Sequence, residues 1–161
     1  MWTEEDRGKY RPTTNDTRSE IKADFHVCCS KLDEVLDKRF DIIIYDPPYV
    51  NLKRKDAQDA EFCYNYEASG TIEELVSLTE RTAICFRNLI SKNGVVIAKI
   101  CDFHIRGRLR GSYDIQKAFE ENGWFLHDKV IYRFYKPIPN LASYSLKVPI
   151  AHTYFLIFKE A

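Results

Sequence analysis

Apolar and polar positions along the chain form alternating runs of two periods. From Thr71 to Lys92 the apolar residues Ile72, Leu75, Val76, Ala83, Phe86, Leu89 and Ile90 recur at the spacing of one helical face. Thr71 and Glu74 stand where a capping box would open that helix, and Gly94 follows where a stop is expected. A second helix is predicted over Ser112 to Asn122, with Ile115, Ala118 and Phe119 inward and Gly123 ending it. A shorter one is predicted over Ser30 to Lys38, with Ser30 as cap and Leu32, Val35 and Leu36 on one face. Between the helices lie continuous apolar runs. Phe40 to Tyr45 and Val95 to Ile100 read as strands, and Ile42-Ile43-Ile44 lacks alternation, as in a strand covered on both faces. Trp124 to Phe134 and Tyr154 to Phe158 read as two more, and Ile21 to Val27 alternates enough to suggest another.

Strands that alternate with helices imply an α/β fold with a mainly parallel sheet. The last two strands are joined by a loop bracketed by Pro137, Pro139 and Pro149, with no helix, and so predict a C-terminal antiparallel hairpin. Residues 1–19 are polar and read as an N-terminal arm; residues 20–161 read as one domain. At 161 residues the chain is long enough for a real core.

Composition narrows the class. Hydrophobic residues make up 45% and charged residues 30%, as in a soluble globular protein. No apolar stretch approaches the ~20 residues needed to cross a bilayer, so no membrane partner is expected. Cys28, Cys29, Cys63, Cys85 and Cys101 are odd in number and lack metal-ligand spacing; reduced thiols in a cytoplasmic protein are the expectation. The net charge is zero, so nucleic-acid contact would rest on local basic clusters.

The chemistry concentrates at Asp46-Pro47-Pro48-Tyr49, directly after the first apolar run. An exocyclic amino nitrogen on a nucleobase is a poor nucleophile because its lone pair is delocalised into the ring. Two acceptors holding its two hydrogens turn that lone pair outward. The Asp46 carboxylate is one acceptor. The Pro47 carbonyl is a candidate for the second, because Pro48 has no N–H and pushes Pro47 into an extended conformation. Tyr49 offers a ring for stacking, worth ~1–3 kcal/mol per base.

These residues resemble the catalytic motif of the S-adenosylmethionine-dependent amino-methyltransferases that modify adenine N6 or cytosine N4 in DNA. Ala23-Asp24-Phe25, Leu32 to Leu36, Asn93 to Ile100, Gly123 to Leu126, Asp128 to Tyr132 and His152 to Phe158 follow in an order similar to that family's elements. The resemblance covers about residues 20–161 and implies a Rossmann-like methyltransferase sheet, intact or truncated. It implies S-adenosylmethionine as cofactor, a nucleic-acid substrate (DNA favoured, with RNA as the related case), and Asp46, Pro47, Pro48 and Tyr49 as the catalytic residues. It gives Asp24 and Asp46 contacts to the cofactor. The family's glycine-rich cofactor turn is missing: among six glycines no two have one residue between them. The chain therefore reads either as such an enzyme or as a half of one. The half would be completed by a second chain supplying that turn, or would act as a non-catalytic binding or regulatory subunit.

Other candidates keep two readings each. Asp24 is the acid for the cofactor adenine or a surface acid. Arg106, Arg108 and Arg110, beyond the end of a strand, are phosphate ligands or a solvated basic loop. The long polar stretch 50–70, with Phe62, Tyr64 and Tyr66, overlies the target base in the resemblance or is a solvated loop. Asp102, like Asp46, should lie at the carboxyl end of a strand, where ligands of such sheets bind.

Overall fold

The computed structural model describes residues 12–47, 71–105, 108–133 and 152–161, without the side chains of 103–105, 108, 109 and 152. The elements are a 3-10 helix (Cys29–Glu34), β1 (Phe40–Tyr45), α1 (Ile72–Leu89), β2 (Ile90–Ile100), β3 (Phe103–Ile105), β4 (Arg108–Arg110), α2 (Ser112–Glu120), β5 (Trp124–Arg133) and β6 (His152–Glu160).

The sheet has four strands in the order β1-β2-β6-β5. β1 and β2 are parallel, joined through α1; β6 is antiparallel to both β2 and β5. The expectation of a mainly parallel sheet is thus corrected to a mixed one. β1, β2 and β5 do run in one direction, as their intervening helices require. The predicted β5–β6 hairpin forms, but its second strand inserts between β2 and β5 and separates them.

Register assigns the faces. Ile43 and Tyr45 of β1 lie beside Val96 and Ala98 of β2, which face Phe158 and Leu156 of β6. This face carries the core, with Leu75, Ala83, Phe86 and Leu89 of α1 and Ile115 and Phe119 of α2 packed on it. Phe119 stacks on Phe158 with centroids 4.3 Å apart and meets Trp124 edge-on at 5.9 Å. The other face differs from the expectation for β1: Ile42 and Ile44 are 57% and 60% exposed, so β1 is covered on one face only. β1 is also the first strand in the order, and its outer edge pairs with no described strand.

The capping box of α1 forms as predicted. Thr71 Oγ1 accepts from Glu74 N at 3.1 Å, and Glu74 Oε2 accepts from Thr71 N at 3.0 Å. The helix ends earlier than expected, at Leu89, because Ile90 is already extended and buried in the sheet. Gly94 is therefore no helix stop. It lies within β2, where a side chain would meet the Asp41 carbonyl at 3.0 Å and Ile90 Cδ1 at 2.7 Å. β2 here shifts register against Phe40 and Ile42. Gly123 does end its helical region, with φ +85.

Two N-terminal expectations are revised. Ile21 to Val27 forms no strand, only an isolated bridge between Asn15 and Phe25. The segment is held instead by side chains: Asp24 accepts from Thr14, and Asn15 exchanges hydrogen bonds with the Val27 backbone. The helix expected over Ser30 to Lys38 is the shorter 3-10 helix, whose N-terminus is Cys28 with no side-chain cap. The polar stretch assigned to an arm is thereby tied, from Thr14 to Asp16, to residues 24–27.

In the same stretch Arg18 binds Asp16 through Nε and Nη2 at 2.9 and 2.8 Å. That guanidinium, with the Arg18 N–H, lowers the Asp16 pKa from 3.8 to about 2. A carboxyl lowered by folding stabilises the fold above its ordinary 3.8, and the contribution is lost as pH falls through about 2. Carbon-13 NMR titration should find Asp16 titrating near 2, and Arg18→Ala should return it toward 3.8.

Candidate active site

The parallel register fixes where the motif emerges. Tyr45 is the last β1 residue and lies beside Ala98 of β2. Its ring is buried, edge-on to Phe86 at 5.8 Å and tilted against Phe119 at 6.2 Å. Its hydroxyl and that of Thr79 are hydrogen-bonded at 3.2 Å, and Thr79 in turn donates to the Leu75 carbonyl. Burial pushes the Tyr45 phenol well above its ordinary pKa, so it stays protonated. The strand end is therefore anchored in the core immediately before the candidate acid.

Asp46 follows, exposed, and Pro47 turns back into the protein and is buried. Asp46 Oδ2 accepts from Lys99 Nζ at 2.9 Å, while Oδ1 has no hydrogen bond among the described residues. The Pro47 carbonyl likewise accepts none among the described residues. One carboxylate oxygen and one peptide oxygen, adjacent in the chain and both without a hydrogen bond among the described residues, thus stand at the carboxyl end of β1. Pro48 and Tyr49 lie outside the described residues, as does the stretch 50–70 expected over the site.

Asp24 is exposed, and its Oδ2 accepts from both Thr14 N (2.8 Å) and Thr14 Oγ1 (2.9 Å). Those hydrogen bonds lower its pKa. Its second oxygen has no hydrogen bond among the described residues.

The basic stretch after β2 is not the plain loop of one reading. It folds as a two-stranded hairpin, β3 against β4, with Arg108 opposite Ile105 and Arg110 opposite Phe103. Arg106 lies outside the described residues, and Arg108 is fixed only by its register position. Arg110 is already engaged. Its Nε and Nη2 reach the Asp114 carboxylate at 2.8–2.9 Å, and Nη1 lies 3.9 Å from Glu73. Burial works to raise the Asp114 pKa, but the hydrogen bonds from Arg110 and Gly111 outweigh it and lower it. A phosphate at Arg110 would have to compete with this bidentate pair.

Asp102 has a structural task. It is 5% exposed at the end of β2, and its Oδ1 accepts from Ser112 N, the first residue of α2, at 2.7 Å. The carboxylate thus satisfies one orphan donor at a helix N-terminus and complements the helix dipole. Gly111 makes this approach possible. It has φ +130, and a side chain there would lie 2.5 Å from the Cys101 carbonyl. Among the described residues no cluster of His, Cys, Asp or Glu could hold a metal, and no helix is long and apolar enough to cross a membrane. Cys28, Cys29, Cys85 and Cys101 are free thiols. An open hollow of about 130 Å³ lies at the opposite end of β2, bounded by Lys92, Gly94, Phe125 and Lys159. It is below the ~300 Å³ usual for ligand pockets and holds none of the candidate residues.

Lys99 is the site neighbour that sequence reasoning passed over. A cation within Val95 to Ile100, an otherwise apolar run, was the available signal. The hydrogen bond of Asp102 to α2 carried no such signal, because it depends on how the β3–β4 hairpin returns the chain.

Replacing Asp102 with Ala should leave the Ser112 N–H unpaired and cost about 1–3 kcal/mol in urea unfolding. Asp102→Asn, which keeps an acceptor, should cost less. Equal losses in the two variants would remove the hydrogen bond as the cause.

No protein-family profile matches the chain, and no curated protein matches it. Solved structures do match. PvuII DNA methyltransferase (cytosine-N4-specific) is similar with a TM-score of 0.57 at 16% identity, over 82% of this chain and 46% of its own. M1.HpyAVI in complex with SAM is similar with a TM-score of 0.50 at 16% identity, over 84% of this chain and 53% of its own. TTHA0409 of Thermus thermophilus, assigned as a DNA modification methylase and solved with S-adenosyl-L-methionine, gives 0.52 at 16% identity, over 82% and 50%. The chain spans about half the length of these structures. The likeness establishes a fold: this mixed α/β framework is one that DNA methyltransferase structures also contain, carried here in a chain of about half their length.

Proposed function

We propose that the chain is the catalytic half of an S-adenosylmethionine-dependent methyltransferase acting on an exocyclic amino nitrogen of a nucleic-acid base, with adenine N6 or cytosine N4 of DNA as the substrate. The observation that carries this is the pair of acceptors at the carboxyl end of β1, Asp46 Oδ1 and the Pro47 carbonyl, neither of which has a hydrogen bond among the described residues. The fold shared with DNA methyltransferase structures supports it.

In this reading the two oxygens accept the two amino hydrogens and rotate the nitrogen lone pair out of the ring plane. Pro48 holds Pro47 extended, so that its carbonyl faces the base. Tyr49 stacks on the base and offsets part of the few kcal/mol needed to extrude it from a duplex. The proton released from nitrogen passes to Asp46 or to solvent. Arg106 and Arg108 contact phosphates, which fix register without reading sequence. Arg110 would join them only by exchanging Asp114 for phosphate.

S-adenosylmethionine supplies the electrophilic methyl group when bound. The described residues fit it only in part. The second Asp24 oxygen can accept from an adenine amino group, and Asp46 lies at the transfer end. Nothing in the chain matches the glycine-rich turn that would cradle the methionine end. A specific observation therefore favours a partner-dependent form. The outer edge of β1 is unpaired among the described residues, and Ile42 and Ile44 are more than half exposed beside it. A second chain carrying the glycine-rich turn would dock there, since exposed apolar edges of this kind invite strand addition.

Calorimetric titration with S-adenosylmethionine, with and without duplex DNA, tests the stand-alone form. Binding by the chain alone would favour the stand-alone form; in either form Asp46→Ala should lower methyl transfer by at least about a hundredfold while cofactor affinity stays nearly intact. No binding at millimolar cofactor would eliminate the stand-alone enzyme and leave the partner-dependent form. Methyl transfer undiminished in Asp46→Ala would end the reading itself.

A further inference from the structure

We infer that Lys99 is a positioning residue for Asp46, setting the carboxylate so that one oxygen is held by the protein and the other is presented to the substrate amino group; this rests on the function proposed above. Three observations converge. The parallel register pairs Tyr45 with Ala98, so the next residues, Asp46 and Lys99, emerge side by side from neighbouring strands. The Lys99 ammonium lies 2.9 Å from Asp46 Oδ2, and Oδ1 has no hydrogen bond among the described residues. Lys99 also projects from an apolar setting, opposite Phe155 in register and two residues from Ile97, on the face where Ile42 and Ile44 lie.

A lysine is an expensive choice for such a strand unless its head group has a task. Stability does not explain it, because an ion pair as solvent-accessible as this one contributes little. Orientation does. A carboxylate at a strand end rotates about χ2, and either oxygen can then face the substrate at any angle. A cation delivered by the rigid neighbouring strand removes that freedom. Lys99 is half-buried in its strand while its head group reaches the strand end, as a long amphipathic side chain can.

The test is steady-state methyl transfer to duplex DNA by wild type, Lys99→Ala, Lys99→Arg and Asp46→Ala, using labelled S-adenosylmethionine and the chain with its partner if one is required. Lys99→Ala should lower kcat about ten- to a hundredfold, with KM for DNA and cofactor affinity unchanged, as expected when a reacting group is misplaced rather than lost. Lys99→Arg, which keeps a cation in reach, should recover most of the loss. Thermal melting of each variant should match wild type. A raised KM with unchanged kcat, and a salt dependence reduced by about one charge, would make Lys99 a phosphate contact instead and overturn the inference. Wild-type kcat in Lys99→Ala would overturn it too. A wild-type protein that methylates neither base would end the proposed function and this inference together, whereas activity retained in Lys99→Ala ends the inference alone.

Discussion

The parallel pairing of β1 with β2 is the constraint on which the molecule turns. Its register, Tyr45 beside Ala98, is set by burial: Ile43, Tyr45, Val96 and Ala98 must all meet the helices on one face. A slip of β1 by one residue would turn Ile43 and Tyr45 outward and bring Ile42 and Ile44 into the core. The same register brings Asp46 next to Lys99. Core packing and site geometry are thus one decision, and the Tyr45 hydroxyl bonded to Thr79 fastens the strand at the point where the two meet.

The position of β6 explains the rest of the sheet. β5 alone, reached from β2 through α2, would make a third parallel strand. β6 separates them and gives both neighbours an antiparallel partner with Phe158 and Leu156 directed at the helices. Both helices lie on that side, so the opposite side is left with half-exposed apolar residues that grow more exposed toward the outer strands. A large apolar sheet face is unusual on a monomer. With β1 at the edge, Ile42 and Ile44 stand more than half exposed on the strand that leads to the candidate acid.

Much of this was legible in the chain. The α1 face and its capping box, the two later strands, the hairpin they form and the Gly123 stop all followed from periodicity and end signals. The misreadings share a cause: the winning interaction lay far away in sequence. Gly94 looked like a helix stop, but Ile90 is drawn into the sheet by its pairing with Phe40. Ile42-Ile43-Ile44 looked doubly covered, yet no run of residues tells how many layers a sheet has. Ile21 to Val27 alternated like a strand, but the side chains of Thr14 and Asn15 take the hydrogen bonds a neighbouring strand would have taken. At the site, Asp46 and Pro47 could be read from local chemistry, because proline restricts its predecessor whatever the fold. Lys99 offered only a cation in an apolar run, a signal that gains meaning once strand register makes it a neighbour of Asp46.

The charge pattern carries the same lesson into function. A net charge of zero argues against nucleic-acid binding only if the charges act as a sum. Here they act in pairs: Arg18 on Asp16, Arg110 on Asp114, Lys99 on Asp46. An acid meant to meet a base must enter the field of the flanking phosphates, which extends over a Debye length of about 8–10 Å. Asp46 carries its counter-charge in Lys99, 2.9 Å away, and Oδ1 accepts only at contact range. A net charge of zero is therefore no argument against the function proposed for this chain.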